Sequence, residues 1–150
     1  MIRVLVVDDS AFMRTALSKM LEADPEVQVV GTARDGLHAL EQVAQLDPDL
    51  VTLDVEMPRM DGLEALRRIM ATSPRPVLMV SSLTAEGAEV TLQALDEGAL
   101  DYIPKGIGGN VLDIVQIERT LREKVRTLGR RRPAAAAPRP ATSPAAAPAT

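Results

Sequence analysis

Cysteine is absent from this 150-residue chain, and histidine and aromatic residues are nearly absent. Without cysteine the protein has no disulfide, no thiolate metal site and no thiol nucleophile. A Ser-His-Asp hydrolase site needs a histidine, and His38 is the only histidine in the sequence that could supply it. Since His38 has no partner at metal-ligand spacing, we interpret it as a surface residue. Phe12 and Tyr102 are the only aromatic residues, so we expect a core of aliphatic side chains and methionine.

Long apolar runs and nucleotide-binding glycine loops are also lacking. No apolar run approaches the ~18 residues of a membrane span, and the segment after Met1 does not resemble a signal peptide, so we expect a cytoplasmic protein without membrane insertion. Neither a Walker loop nor a G-x-G-x-x-G motif is present. Residues 1–128 carry a formal charge of −8, which argues against a nucleic-acid partner.

The last part of the chain differs in composition from the rest. Fourteen of the eighteen residues from Pro133 to Thr150 are alanine or proline, and a short arginine run precedes them. Such a segment cannot pack a core and is typical of an extended linker. We therefore predict one domain over residues 1–128 and an interdomain linker, rich in arginine and then in alanine and proline, over residues 129–150.

Short apolar runs alternate with helical patterns along the body. Largely apolar runs favour parallel strands covered on both faces, and they occupy Ile2–Val7, Val27–Val30, Leu50–Leu53, Val77–Val80 and Leu100–Ile103. Between and after them, apolar residues recur at helical spacing, most clearly from Ile114 to Leu128. Asp61 and Glu64 form a candidate capping box, and Gly98 and Gly129 are candidate helix ends. The pattern predicts an α/β fold: a three-layer, doubly wound sandwich with a five-stranded parallel sheet and five helices.

Polar residues follow four of these strands. Asp8 and Asp9 follow the first strand, Asp54 the third, Ser81 the fourth, and the fifth leads to Lys105. The carboxyl ends of parallel strands share one edge, so three carboxylates converge if strands one and three are neighbours. Such a cluster needs a cation, and oxygen ligands without histidine or cysteine favour Mg²⁺. With Lys105 and the Ser81 hydroxyl beside the metal, the site could receive a phosphoryl group on a carboxylate.

Each residue also has an ordinary explanation when taken alone. Asp8 and Asp9 could simply open the first helix, and Asp54 could be a turn residue. Lys105 could be a solvated charge, and Tyr102 a packing residue. Independent explanations of this kind do not account for acid, acid, hydroxyl and ammonium at four strand ends in that order.

These motifs resemble the receiver domains of two-component response regulators. The resemblance is carried by Val6–Ser10, by Leu53–Pro58 with Asp61-Gly62, by Val80-Ser81, and by Gly98-Ala99 through Tyr102 to Lys105. It implies a flavodoxin-like sheet in the order 2-1-3-4-5, with Asp54 as the phosphoacceptor. It further implies that Mg²⁺ is held by Asp8, Asp9, Asp54 and the Glu56 carbonyl, that Ser81 and Lys105 contact the phosphoryl group, and that Tyr102 is a rotameric switch.

A narrower resemblance is to the receiver of chemotaxis protein-glutamate methylesterases, carried by Asp54–Gly62, Val80–Thr84 and Gly87–Leu95. It implies a chemotaxis histidine kinase as phosphodonor and a longer parent protein. In that parent, the receiver controls a C-terminal esterase and glutamine deamidase that acts on chemoreceptors. The esterase domain is absent from these 150 residues. One departure is Gly106, where the family usually has proline after the lysine, so we expect a looser loop there.

Two alternatives remain open at this stage. The chain could be a stand-alone signalling receiver, or a Mg²⁺-dependent phosphatase working through an aspartyl phosphate. In the second case Glu56, two residues after the nucleophile, would be the acid.

Overall fold

The computed structural model describes residues 1–57, 59–81, 85–104 and 111–129, with the side chains of residues 85–87 and 111–116 excepted. Within these residues, five strands and five helices alternate. The strands are β1 (Ile2–Val7), β2 (Val27–Ala33), β3 (Leu50–Asp54), β4 (Val77–Ser81) and β5 (Asp101–Pro104). The helices are α1 (Ala11–Glu22), α2 (Gly36–Leu46), α3 (Gly62–Thr72), α4 (Ala85–Asp96) and α5 (Val111–Gly129).

The strands form one parallel sheet in the order β2-β1-β3-β4-β5. This confirms the predicted doubly wound α/β fold and its strand order. The chain order reverses at β1, because β2 lies on one side of it and β3 on the other. In open sheets of this kind, ligands bind outside the carboxyl ends of the strands at such a reversal.

Two apolar layers cover the two faces of the sheet. On one face α1 and α5 pack through Leu17, Leu21, Leu121 and Val125. On the other face α2, α3 and α4 contribute buried side chains that include Val43, Leu66, Ile69 and Ala94. Alternate residues of a strand enter one layer or the other, which explains why the strands are apolar at most positions.

The strand predictions differ from the structure mainly at the ends of the strands. The fifth strand is displaced by one residue, and β2 continues three residues beyond the predicted Val30. These additional residues pair with β1, since Gly31, Thr32 and Ala33 lie opposite Leu5, Val6 and Val7. Pairing of this kind is not visible in local hydropathy.

The helix-end predictions have mixed outcomes. Asp61 caps α3, because its Oδ1 accepts a hydrogen bond from the Glu64 backbone N–H at 3.0 Å. A capping box would also need the Glu64 carboxylate to accept from the Asp61 backbone N–H. That part of the prediction was wrong, since the Glu64 carboxylate instead accepts from Arg68 Nε at 2.9 Å. Gly98 follows α4 with a φ of 122°, a conformation that favours glycine, and α5 ends at Gly129.

The predicted linker lies almost entirely outside the described residues, which end at Gly129. Within the described residues, none of the helices has both the length and the apolar character that a membrane crossing requires.

Candidate functional site

Three carboxylates meet at the carboxyl edge of the sheet, as the sequence predicts. Oxygen atoms of Asp8, Asp9 and Asp54 all lie within 4.8 Å of one another. The strand register explains the meeting, because Val7 of β1 pairs with Leu53 of β3. The next residue of each strand is an aspartate, so Asp8 and Asp54 leave neighbouring strands at the same level.

The three aspartates differ in exposure. Asp8 is buried and Asp54 is 2% exposed, whereas Asp9 faces solvent. The Asp8 Oδ1 accepts from the Ser10 backbone N–H at 2.9 Å, and the Asp54 Oδ1 accepts from the Glu56 backbone N–H at 3.4 Å. Ser10, rather than either aspartate, caps α1 by accepting from the Met13 N–H at 3.2 Å. Capping of α1 therefore does not explain the positions of Asp8 and Asp9.

The donor set fits a hard divalent cation. It consists of carboxylate oxygens close enough to share one ion, and the only histidine of the chain, His38, lies on α2. Three ionised carboxylates at this spacing repel one another unless a cation compensates them. Oxygen donors of this kind suit Mg²⁺, which keeps several waters and takes few protein ligands.

Of the other predicted site residues, Ser81, Tyr102 and Glu56 are described by the structure. Ser81 ends β4 and is 4% exposed, and it pairs with Pro104 of β5. Tyr102 lies on β5 with 44% of its surface exposed, so it is not a core packing residue. Glu56 is exposed in the loop after β3. Lys105 and Gly106 lie outside the described residues.

His38 is less exposed than the sequence suggests. Its ring is half-buried, Nδ1 accepts from the Arg34 backbone N–H at 3.3 Å, and Nε2 lies 3.0 Å from the Gln42 amide nitrogen. These local contacts connect the first turn of α2 to the end of β2. His38 thus has a structural role at the start of the helix.

Sequence reasoning missed two residues that contact the site. Arg14, on the first turns of α1, donates from Nη1 to the Asp8 carbonyl at 2.8 Å. Gly62, the first residue of α3, approaches the backbone of Asp54 so closely that a Cβ atom there would lie 2.1 Å from the Asp54 carbonyl oxygen. The adjacency of Gly62 to a helix-capping aspartate was a signal for a helix start, but nothing local indicated contact with Asp54.

A third missed feature is an ion pair beside the site. Arg59 Nε and Nη2 donate to Asp35 Oδ2 at 3.1 and 2.6 Å. The Asp35 carboxylate is buried and also accepts from the His38 backbone N–H at 2.9 Å. The hydrogen bond from His38, followed by the pair with Arg59, lowers the pKa of Asp35 below its usual value, so this carboxylate stays charged.

Comparison with known proteins shows which family the chain resembles. A family model described as the response regulator receiver domain matches residues 4–115. A protein-glutamate methylesterase/protein-glutamine glutaminase of Oleidesulfovibrio alaskensis is 62% identical over 148 residues, which cover 97% of this chain and 40% of that protein. The chain therefore spans about two-fifths of the length of this curated relative.

Solved structures show the same fold. The response regulator domain of Thermotoga maritima CheB is 50% identical, with a TM-score of 0.78, and the match covers 86% of this chain and 96% of that one. A CheX-CheY-BeF3-Mg complex from Borrelia burgdorferi contains a chain that is 30% identical, with a TM-score of 0.66 and coverages of 80% and 88%.

Proposed function

The chain belongs to the response regulator receiver domain family, of the type found in chemotaxis methylesterases, and from this premise we propose that it is a switch phosphorylated on Asp54. The convergence of Asp8, Asp9 and Asp54 at the carboxyl edge carries the proposal. Asp54 is the candidate acceptor because it ends β3 at the centre of the sheet, between β1 and β4. Asp8 and Asp9 belong to the neighbouring strand end and serve as metal ligands.

The transfer is a substitution at phosphorus. An Asp54 carboxylate oxygen attacks the phosphorus atom, the bond from phosphorus to the donor's leaving group breaks, and Asp54 becomes an acyl phosphate. Asp8, Asp9, Asp54 and the Glu56 carbonyl would hold Mg²⁺, which neutralises charge on the phosphoryl oxygens when bound. The Borrelia burgdorferi complex, whose name includes BeF3 and Mg together with a related chain, supports Mg²⁺ as the cation.

Three further residues complete the proposed switch. The Ser81 hydroxyl would donate a hydrogen bond to a phosphoryl oxygen, and the Lys105 ammonium would pair with another. Movement of Ser81 toward the phosphoryl group would free space for Tyr102 to turn inward from its exposed position. Phosphorylation would in this way shift an equilibrium between two surface states that involve α4, β5 and α5.

The output of this switch is proposed from the relatives. Their names describe protein-glutamate methylesterases and protein-glutamine glutaminases, so a parent of this chain would carry that activity in a C-terminal domain controlled by the receiver. A chemotaxis histidine kinase would supply the phosphoryl group, chemoreceptors would be substrates of the parent, and the system would work in the cytoplasm. A reading frame that continues past codon 150 into a domain with a Ser, His and Asp site supports this; a stop codon there favours a stand-alone receiver.

Incubation with acetyl phosphate and Mg²⁺ should add one phosphoryl group to the chain, and Asp54→Asn should abolish the addition. The asparagine amide is not a nucleophile of comparable strength, so the effect is a complete loss. Intact-mass spectrometry of both proteins measures it. An adduct that persists in Asp54→Asn would refute the assignment, and release of many phosphates per chain from a phosphomonoester would indicate the phosphatase instead.

Asp9→Asn should weaken Mg²⁺ binding about tenfold or more, because one of three carboxylate ligands becomes neutral. Since Asp9 is exposed, the free energy of unfolding should change by less than about 0.5 kcal/mol. Isothermal titration calorimetry with MgCl₂ measures the affinity. Asp96→Asn, the same substitution at an exposed position at the end of α4, is the control and should bind as the wild type does. Equal Mg²⁺ affinities in Asp9→Asn and wild type would show that Asp9 is not a metal ligand.

A further inference from the structure

The described residues of the loop between β3 and α3, 55–57 and 59–61, are held by contacts from outside the acidic cluster. Arg59 donates twice to Asp35, at 3.1 and 2.6 Å, and the Gly36 N–H donates to the Met60 carbonyl at 3.1 Å. The Gly62 N–H closes the loop on the Val55 carbonyl at 2.9 Å. Two adjacent loop residues are thus attached to the connection between β2 and α2, and the loop is closed at its base.

The backbone conformation at Arg59 indicates that this position needs the arginine side chain. Arg59 has a φ of 65°, a left-handed conformation that carries an energetic cost for a non-glycine residue. Glycine would occupy it without this cost. The Arg59 side chain is 55% exposed, so core packing does not explain an arginine here. What the arginine provides is a cation for the buried Asp35 carboxylate, which is 24 residues away in sequence.

We propose that Arg59, through its ion pair with Asp35, is a positioning residue for the metal site. The pair holds the path of the loop that starts at Asp54, and so it aims the Glu56 carbonyl and the Asp54 carboxylate at one cation. This inference rests on the proposed function, because it concerns the same Mg²⁺ and the same acceptor.

The route from Arg59 to the metal ligands is short. Arg59 lies three positions after Glu56, whose N–H contacts the Asp54 carboxylate at 3.4 Å. Glu56 itself is exposed, so burial of its side chain does not hold its carbonyl in place. Metal affinity depends on ligand positions to within a few tenths of an ångström, and loss of an outer partner commonly costs 10–100-fold. We expect loss of the ion pair between Arg59 and Asp35 to weaken Mg²⁺ binding about tenfold.

The double variant Asp35→Asn/Arg59→Gly tests this inference. It removes the ion pair without changing the net charge, asparagine still caps α2, and glycine fits the left-handed conformation. Calorimetric titration with MgCl₂ should give an approximately tenfold higher Kd. The Mg²⁺ concentration for half-maximal phosphorylation by acetyl phosphate should rise by the same factor, while the rate at saturating Mg²⁺ stays near that of the wild type. If the ion pair only stabilised the fold, the Kd for Mg²⁺ would be unchanged.

A matched control removes another arginine pair. Arg67 donates from Nε and Nη2 to Glu97 at 2.7 Å for both bonds, and Arg67→Gln/Glu97→Gln also preserves net charge. This control should bind Mg²⁺ as the wild type does. Arg59→Lys keeps a cation beside Asp35 but loses the fork geometry, so its Kd should be intermediate.

The outcomes separate the inference from the proposed function. A wild-type Kd in the folded double variant overturns the positioning role and leaves the phosphorylation proposal intact. If the double variant does not fold, a wild-type Kd in Arg59→Lys overturns it in the same way. Absence of Mg²⁺ binding and of an adduct in the wild-type chain refutes the proposed function itself.

Discussion

Gly62→Ala should destabilise the protein by about 3 kcal/mol and strongly reduce phosphorylation of Asp54. An added Cβ would lie 2.1 Å from the Asp54 carbonyl oxygen and 2.9 Å from the Val55 Cα. Both are backbone atoms, which cannot rotate away, so α3 or the end of β3 must move. On helix propensity alone, alanine would be favoured by about 1 kcal/mol, and the expected loss therefore has the opposite sign to the local effect. Urea unfolding and intact-mass spectrometry measure the two effects.

Gly31→Ala is the matched control. Its Cβ would lie 2.5 Å from Leu46 Cδ1, the end of a flexible side chain that can turn aside. We expect a change below about 1 kcal/mol and normal phosphorylation. An unfolding midpoint of Gly62→Ala equal to that of the wild type would show that α3 does not need glycine for its approach to Asp54.

Arg126→Ala should cost about 3 kcal/mol of stability, because it leaves a buried carboxylate without its cation. Arg126, near the end of α5, donates from Nε and Nη2 to the buried Asp24 at 2.5 and 2.9 Å. Asp24 lies between α1 and β2, so the ion pair connects the last helix to a loop in the N-terminal part of the chain. The hydrogen bond from Arg126 is the main reason that the pKa of Asp24 falls to about 2.

The same pair predicts a pH dependence. The pKa of Asp24 is lower in the folded protein than its unfolded value of 3.8, so its stabilising contribution is present above that value. It is lost as the pH falls from about 4 towards 2. The difference in unfolding free energy between wild type and Arg126→Ala should therefore shrink over this interval. Urea unfolding at several pH values measures it.

Arg67→Ala is the control for this prediction. Arg67 also makes two bonds to one carboxylate, that of Glu97, but both side chains are partly exposed. Solvent screens such a pair, and we expect a much smaller loss of stability than in Arg126→Ala. Equal losses in Arg67→Ala and Arg126→Ala would show that burial of the carboxylate does not decide the strength of the pair.

Much of the fold could be predicted because burial leaves a local pattern. The runs at Ile2–Val7 and Leu50–Leu53 are apolar at nearly every residue, as expected for strands covered on both faces, and both are strands. Errors occurred where hydropathy carries no signal for the partner that a residue chooses. Glu64 pairs with Arg68, four residues along the same helix, instead of completing a capping box, and β2 extends as far as its pairing with β1 allows.

The candidate site was predictable to the extent that its residues follow strands. Asp8, Asp9, Asp54 and Ser81 could be chosen because polar groups after buried strands collect at one edge of a parallel sheet. Arg59 and Asp35 could not, since one is in a loop and the other caps a helix, and either position has an ordinary local explanation. Their pairing depends on two connections meeting in space.

The sequence by itself determined the alternation of strands and helices and the placement of acids at strand ends, since hydropathy period and strand ends are local properties. Only the tertiary structure decided that Val7 lies opposite Leu53, which sets Asp8 level with Asp54, and that Arg126 reaches Asp24 across 102 positions. The physical reason is that a long crossover permits several strand orders and registers with the same local pattern. The choice among them depends on the packing free energy of the whole chain.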